Sequence, residues 1–287
     1  MTYENRLRDL ACSLLVAVTV TLLSGFAAPA TASEVEITAD VVYGHKYGMA
    51  LTFDVLKPAN PNGAGVLRMV SGGWLSRWRS PHESVTRFRA LLDQGFTVFV
   101  VRHGSRPKFV IAEIVPDVRR ALRFIRLNAN DFGVNADRLG VWGGSAGGHL
   151  SLMLSSVSDN GDPSTEDPVL RVNDRVAAVV AYYPPVDLRT LHVRYPELEI
   201  EPADASTLSP LLHVSSDDPP TLLIHGDQDE VVDVSHSNIM YEALQTNGVE
   251  SKLIILKGAG HGYRGADAEQ ASSAMVEWFS IHLAESN

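Results

Sequence analysis

The chain is almost without cysteine: the only one among its 287 residues is Cys12. It lies in an N-terminal segment where Arg6 and Arg8 precede a mostly apolar run, Leu10 to Ala28, followed by Ala30-Thr31-Ala32. This is the layout of a secretory signal peptide with an A-x-A cleavage site, and cleavage is expected after Ala32. The run is nearly long enough for a retained membrane anchor, but the small residues crowding its end favour cleavage. Asp9 stands where a lipoprotein signal would carry leucine three positions ahead of Cys12, which argues against a lipid anchor. A mature chain spanning residues 33–287 then has no cysteine at all, so disulfides, thiolate metal sites and a cysteine nucleophile are excluded.

Positive charge is also in short supply. Twenty-four Lys and Arg face 34 Asp and Glu, a formal net charge of -10, and removing the leader does not alter it because Glu4 and Asp9 balance Arg6 and Arg8. Such a chain has no general attraction for nucleic acid or anionic membranes, and neutral substrates suit it better. No H-E-x-x-H, no phosphate-binding glycine loop with a lysine and no G-x-G-x-x-G followed by a suitable acid is present, so neither a metal nor a cofactor is expected. Internal repeats and low-complexity tracts are lacking too, and residues 33–287 read as a single domain.

What the sequence does contain is alternation of strands and helices, the pattern of a largely parallel sheet covered on both faces. Val35 to Val42 and Leu51 to Leu56 read as an antiparallel pair joined by a turn through Gly44 and Gly48. Apolar runs at 66–70, 96–101, 139–142, 176–182, 221–224 and 252–256 bring the total to about eight strands. Ser80-Pro81-His82-Glu83 carries a capping-box signature and should start a helix that ends near Gly95. Val118, Ala121, Leu122 and Ile125 mark the apolar face of another helix, and Arg119, Arg120, Arg123 and Arg126 are expected to form its solvated face. Excursions near 158–174 and 188–218 interrupt the alternation, and the second could shape a substrate pocket.

The chemistry concentrates in Gly143-Gly144-Ser145-Ala146-Gly147-Gly148, a G-x-S-x-G sequence between a strand and a helix. A serine hydroxyl becomes a useful nucleophile when a sharp turn exposes it beside a base and amide donors, and glycines permit such a turn. His225-Gly226-Asp227-Gln228-Asp229-Glu230 follows one later strand and Gly258-Ala259-Gly260-His261-Gly262-Tyr263 follows the last. These loops offer an acid and an imidazole at the same sheet edge. Asp227, close to the strand end, suits an Asx turn, while Glu230 and Asp233 read as exposed. His225 and His149 read as packing or hydrogen-bonding residues.

These three motifs, GGSAGGHL, HGDQDEVV and GAGHGY, together with the helix segment PDVRRALRFIR, resemble the alpha/beta-hydrolase superfamily across the whole mature chain. The similarity is to secreted bacterial carboxylesterases of the hormone-sensitive-lipase-like and feruloyl-esterase-like kind. It implies an α/β fold of about eight mostly parallel strands with helices on both faces. It also implies a Ser145, Asp229, His261 triad, with Asp229 rather than Asp227 as the acid. The oxyanion hole would combine the N–H of Ala146 with that of Gly72 or Gly73, and Trp74 would pack in the core or line the pocket. The loop Val70-Ser71-Gly72-Gly73-Trp74 departs from the family's His-Gly-Gly-Gly-Trp at its first two positions. The implied function is hydrolysis of small or carbohydrate-linked carboxylic esters, acetyl or feruloyl esters among them, outside the cytoplasm in the periplasm or medium. The alternatives are a prolyl-oligopeptidase-like peptidase, whose propeller the chain is too short to include, and a non-catalytic binding protein of the same fold.

Overall fold

A computed structural model describes residues 34–285, so the expected signal segment lies outside the described residues. The described residues contain eight strands: β1 (Val35–Lys46), β2 (Met49–Pro58), β3 (Gly65–Met69), β4 (Thr97–Val101), β5 (Leu139–Gly144), β6 (Ala178–Tyr182), β7 (Thr221–Gly226) and β8 (Ser251–Leu256). They form one sheet in the order β1-β2-β4-β3-β5-β6-β7-β8. Only β2 runs against the others. The helices are α1 (Pro81–Arg87), α2 (Arg89–Leu92), α3 (Ile111–Leu127), α4 (Ala129–Phe132), α5 (Ala146–Ser156), α6 (Leu191–Arg194), α7 (Pro202–Ala205), α8 (Ser235–Thr246) and α9 (Gly265–His282). This is the expected α/β arrangement.

Central strands such as Thr97-Val98-Phe99-Val100-Val101 and Ala178-Val179-Val180-Ala181-Tyr182 are apolar throughout because both of their faces are covered. One face packs on α3, α5 and α8 through Leu67, Val141, Leu122, Ile125 and Leu150. The other packs on α2 and α9 through Val66, Val98, Leu91, Met275 and Phe279. Val118, Ala121, Leu122 and Ile125 are fully buried, as the helical period requires. At this size such a two-sided core is the main source of stability.

Three local expectations are corrected. The hairpin turns at Tyr47-Gly48, both at positive φ, between the paired Lys46 and Met49; Gly44 lies within β1 at a register shift instead. At Ser80 the side chain makes no cap, and the helix it precedes breaks at Phe88 into α1 and α2. The glutamate that does return to a helix start is Glu113, whose Oε2 accepts the Val110 N–H at 3.1 Å ahead of α3.

The third correction concerns the α3 arginines, which do not form a solvated face. Arg119 pairs with Asp174 at 2.5 Å and with Asp159 at 2.6 Å, Arg123 with the same two aspartates, Arg120 with Asp167, and Arg126 with Asp137. Three of these aspartates lie in the 158–174 excursion, so the arginines bind that segment down on the helix. Periodicity in α3 alone could not reveal this, because the partners are 36 to 55 residues away. Asp174 is the anchor: its side chain is fully buried, and its Oδ1 also accepts the Asp159 N–H at 2.7 Å. Asp174→Ala leaves Arg119 and Arg123 without their buried carboxylate and should cost about 3 kcal/mol. Urea denaturation reads that loss, and limited proteolysis should show new cleavage within residues 158–174.

Candidate active site

Every sequence-predicted site residue follows the carboxyl end of a parallel strand, the edge at which open α/β sheets bind ligands. Ser145 follows β5 and turns the chain into α5 with φ 55° and ψ -125°, a backbone conformation costly for a side-chain-bearing residue. The glycines around it are dictated by contact. A Cβ on Gly143 would stand 2.1 Å from the Gly147 carbonyl oxygen, and one on Gly147 would stand 2.7 Å from that of Met69. The Ser145 N–H donates to the Tyr182 carbonyl at 2.9 Å, which ties the turn to β6.

The structure brings Ser145, His261 and Asp229 into one hydrogen-bonded line. Ser145 Oγ lies 2.9 Å from His261 Nε2, and His261 Nδ1 lies 2.7 Å from Asp229 Oδ2. With Nδ1–H donating to the carboxylate, Nε2 is left to accept the serine proton. Asp229 is buried, and its other oxygen accepts the Val231 and Val232 N–H groups at 2.9 Å each, so one oxygen fixes the loop while the other faces the imidazole. Glu230 and Asp233 are exposed.

Asp227 makes no Asx turn. Its Oδ1 accepts the Gly258 N–H at 2.6 Å, and the Gln228 N–H donates to the Ala259 carbonyl at 3.0 Å. The acid-bearing and histidine-bearing loops are thereby stapled together. Gly226 completes the staple, since its Cβ would meet the Ala259 oxygen at 2.1 Å. His225 is fully buried and donates from Nε2 to the Val232 carbonyl at 2.8 Å, with Ser237 Oγ on Nδ1 at 2.7 Å; burial lowers its pKa.

Across the site, the loop after β3 differs from expectation in one donor. The Gly72 N–H is spent on the Leu75 carbonyl at 3.0 Å, with the Leu75 N–H returning to Gly72 at the same distance. Gly72 is therefore removed from the oxyanion donors, because its amide is already engaged in a local turn. Gly73, at φ 57°, donates to no protein acceptor among the described residues and lines the same cavity as Ser145. Trp74 is buried and also lines that cavity. Its Nε1–H donates to His149 Nδ1 at 3.3 Å, and His149 Nε2–H donates to the Leu208 carbonyl at 2.7 Å. This relay fastens the loop to α5 and to the 188–218 excursion without help from Val70.

The cavity over Ser145 has a volume of about 540 Å³. Leu191, Tyr195 and Leu198, all from the excursion, form part of its wall. Tyr195 Oη donates to the Val231 carbonyl at 2.9 Å, linking that wall to the acid-bearing loop. Sequence reasoning missed Tyr183. It follows β6 with φ 37°, and its ring centroid lies 4.6 Å from that of His261. Its place at the carboxyl end of a parallel strand was the available signal.

A doubly covered, mostly parallel sheet with a serine elbow after β5, a carboxylate loop after β7 and a histidine loop after β8 defines an alpha/beta-hydrolase. Within that class the chain belongs to the BD-FAE family, whose sequence model matches residues 53–244. It is similar to the probable carboxylic ester hydrolase LipM of Mycobacterium tuberculosis, 27% identical over 223 residues covering 72% of this chain and 51% of that protein. An acetylxylan esterase of Xylanibacter ruminicola is 27% identical over 242 residues, covering 78% and 44%. The chain thus spans about half the length of the curated relatives it matches. Among solved structures, an acetyl ester-xyloside bifunctional hydrolase from Caldicellulosiruptor lactoaceticus superposes with a TM-score of 0.75 at 25% identity, covering 86% of this chain and 97% of that one.

Two outcomes test this geometry. Gly226→Ala should force the two loops apart and lower ester turnover far more than it lowers thermal stability, measured side by side. Burial holds the pKa of His149 down at about 4 against an ordinary 6.5, so the unfolded chain gains a proton between those values that the folded chain does not. His149 therefore contributes stability above pH 6.5 that is lost as pH falls toward 4. Replacing it by Gln should flatten the acid side of the stability profile by up to about 1.4 kcal/mol per pH unit, read from denaturation midpoints across that window.

Proposed function

We propose that the protein is an exported serine esterase that hydrolyses small or carbohydrate-linked carboxylic esters through an acyl-enzyme on Ser145. The observation that carries this reading is the Ser145, His261, Asp229 line, with contacts of 2.9 and 2.7 Å at the floor of an open cavity. Neutral His261 takes the proton of Ser145 as the hydroxyl attacks the ester carbonyl. Asp229, held by two backbone amides, keeps the imidazole in the required tautomer and stabilises the imidazolium. The amides of Ala146 and Gly73 receive the negative charge of the tetrahedral intermediate. His261 then protonates the leaving alcohol and activates the water that frees the acid. The relatives named for acetylxylan and for an acetyl ester-xyloside support acetylated carbohydrate as a substrate class. Among the described residues no helix is long and apolar enough to cross a membrane. Export is proposed from the leader at residues 1–32; N-terminal sequencing of protein recovered outside the cytoplasm should begin at Ser33.

A fluorophosphonate probe should label the protein at Ser145, and a short aryl ester should be turned over near neutral pH. Ser145→Ala should abolish labelling and lower kcat by roughly 10⁵-fold or more. Asp229→Asn should cost about 10⁴-fold, and Asp227→Asn much less. Absence of both labelling and turnover in the folded protein would rule the proposal out.

A further inference from the structure

The chain is acidic overall, and Glu197 lines the Ser145 cavity, yet the cavity and cleft that adjoin it through Arg68 gather arginines without carboxylate partners among the described residues. Arg68, on β3, lines the 540 Å³ cavity, an adjoining cavity of about 220 Å³, and a narrow cleft of about 40 Å³. Its guanidinium lies 4.5 Å from the centre of the Trp142 ring, and its Nη1 donates to the Met69 carbonyl at 2.8 Å. No Asp or Glu among the described residues lies within 4 Å of it. Burial pushes its pKa down to about 10, and Arg87 beside it acts in the same direction. Arg87 also lines both the 220 Å³ cavity and the cleft, where Arg77 and Arg79 join it. Arg102 at the cleft is neutralised by Asp54 at 2.6 Å and Asp40 at 2.7 Å; the other four have no such partner among the described residues. Glu83 borders the neighbouring surface with Arg79 and Arg87 but pairs with neither.

Two guanidiniums facing one cavity repel each other, and holding the half-buried Arg68 without a counter-ion is unfavourable. An anion bound between them would relieve both costs. The 220 Å³ cavity has Phe88, Trp142, Tyr182 and Met275 among its walls, which suits an organic acid better than a small, strongly hydrated inorganic dianion. Arginine presents a planar fork that matches a carboxylate.

We infer that the preferred ester substrates carry a free carboxylate, held by Arg68 and Arg87 in the cavity adjoining Ser145. This rests on the esterase reading and specifies its substrate. The carboxylate can belong to the alcohol portion, as in an acetylated uronic acid, or to the acyl portion, as in a half-ester of a dicarboxylic acid.

Two matched pairs separate these sources. One is an acetylated methyl glucuronoside against the corresponding acetylated methyl glucoside. The other is an aryl hemiglutarate against the aryl pentanoate. In one pair the charged member should be favoured in kcat/KM by about tenfold or more, the range of a charged hydrogen bond, and raising salt should shrink that advantage. The advantage should fall about tenfold in Arg68→Gln and in Arg87→Gln. Arg87 is exposed, so its variant carries the test even where Arg68→Gln does not fold. Equal rates within both pairs, or an advantage that survives the substitutions, would overturn the inference while leaving the esterase reading intact. Failure to hydrolyse any ester, the neutral ones included, would remove both.

Discussion

The turn at Ser145 places one backbone segment almost on top of another, and the site depends on that contact. Gly143 faces the Gly147 carbonyl so closely that no side chain fits between them, and Gly147 in turn abuts β3 at Met69. The close approach forces Ser145 into a positive-φ conformation that an isolated peptide would rarely hold. Packing supplies the compensation. Ser145 donates to β6 through Tyr182, and α5 behind it is buried along nearly its entire length. The hydroxyl thereby emerges at a fixed place on the sheet edge, with its partners brought from 84 and 116 residues further along the chain.

Those partners are fixed by a second close approach of the same kind. Gly226 against Ala259 makes the loops after β7 and β8 a single unit, so the Asp229–His261 distance is set by backbone contact as well as by their own hydrogen bond. Opposite them, the loop after β3 reaches its position through Trp74, His149 and Leu208, a chain of buried hydrogen bonds in which the two non-consensus residues of the loop take no part. Each wall of the site is thus attached to a different strand, and the parallel register of β3, β5, β6, β7 and β8 brings the walls level.

Charge illustrates how far composition reaches. A net charge of -10 argues for neutral substrates only if charge is evenly spread. Folding uses many acidic groups as partners: Asp174, Asp159, Asp167 and Asp137 pair with the arginines of α3, and Asp54 and Asp40 with Arg102. Among the described residues Arg68, Arg77, Arg79 and Arg87 are left over at the cleft that adjoins the serine cavity through Arg68, creating a positive region within an acidic protein. The α3 arginines and the cleft arginines look alike in sequence, and only their distant neighbours separate a structural clamp from a free cation.

Much of the fold was legible in the sequence because short-range physics dictates it. The eight strands were marked by apolar runs that doubly covered strands need, and the core face of α3 by its period. Gly143, Ser145, Gly147 and the glycine-flanked His261 could be read because their loops demand particular residues whatever surrounds them. Tertiary structure decided what depends on partners far along the chain. It committed the Gly72 amide to Leu75, turned Asp227 into a bridge to Gly258, and set the Tyr183 ring against His261. It folded part of residues 188–218 into a cavity wall and left Arg68 without a carboxylate partner among the described residues. Local sequence fixes the conformations that a segment can adopt, whereas hydrogen-bond partners, burial and counter-charges belong to pairs of segments and exist only once the sheet has brought them together.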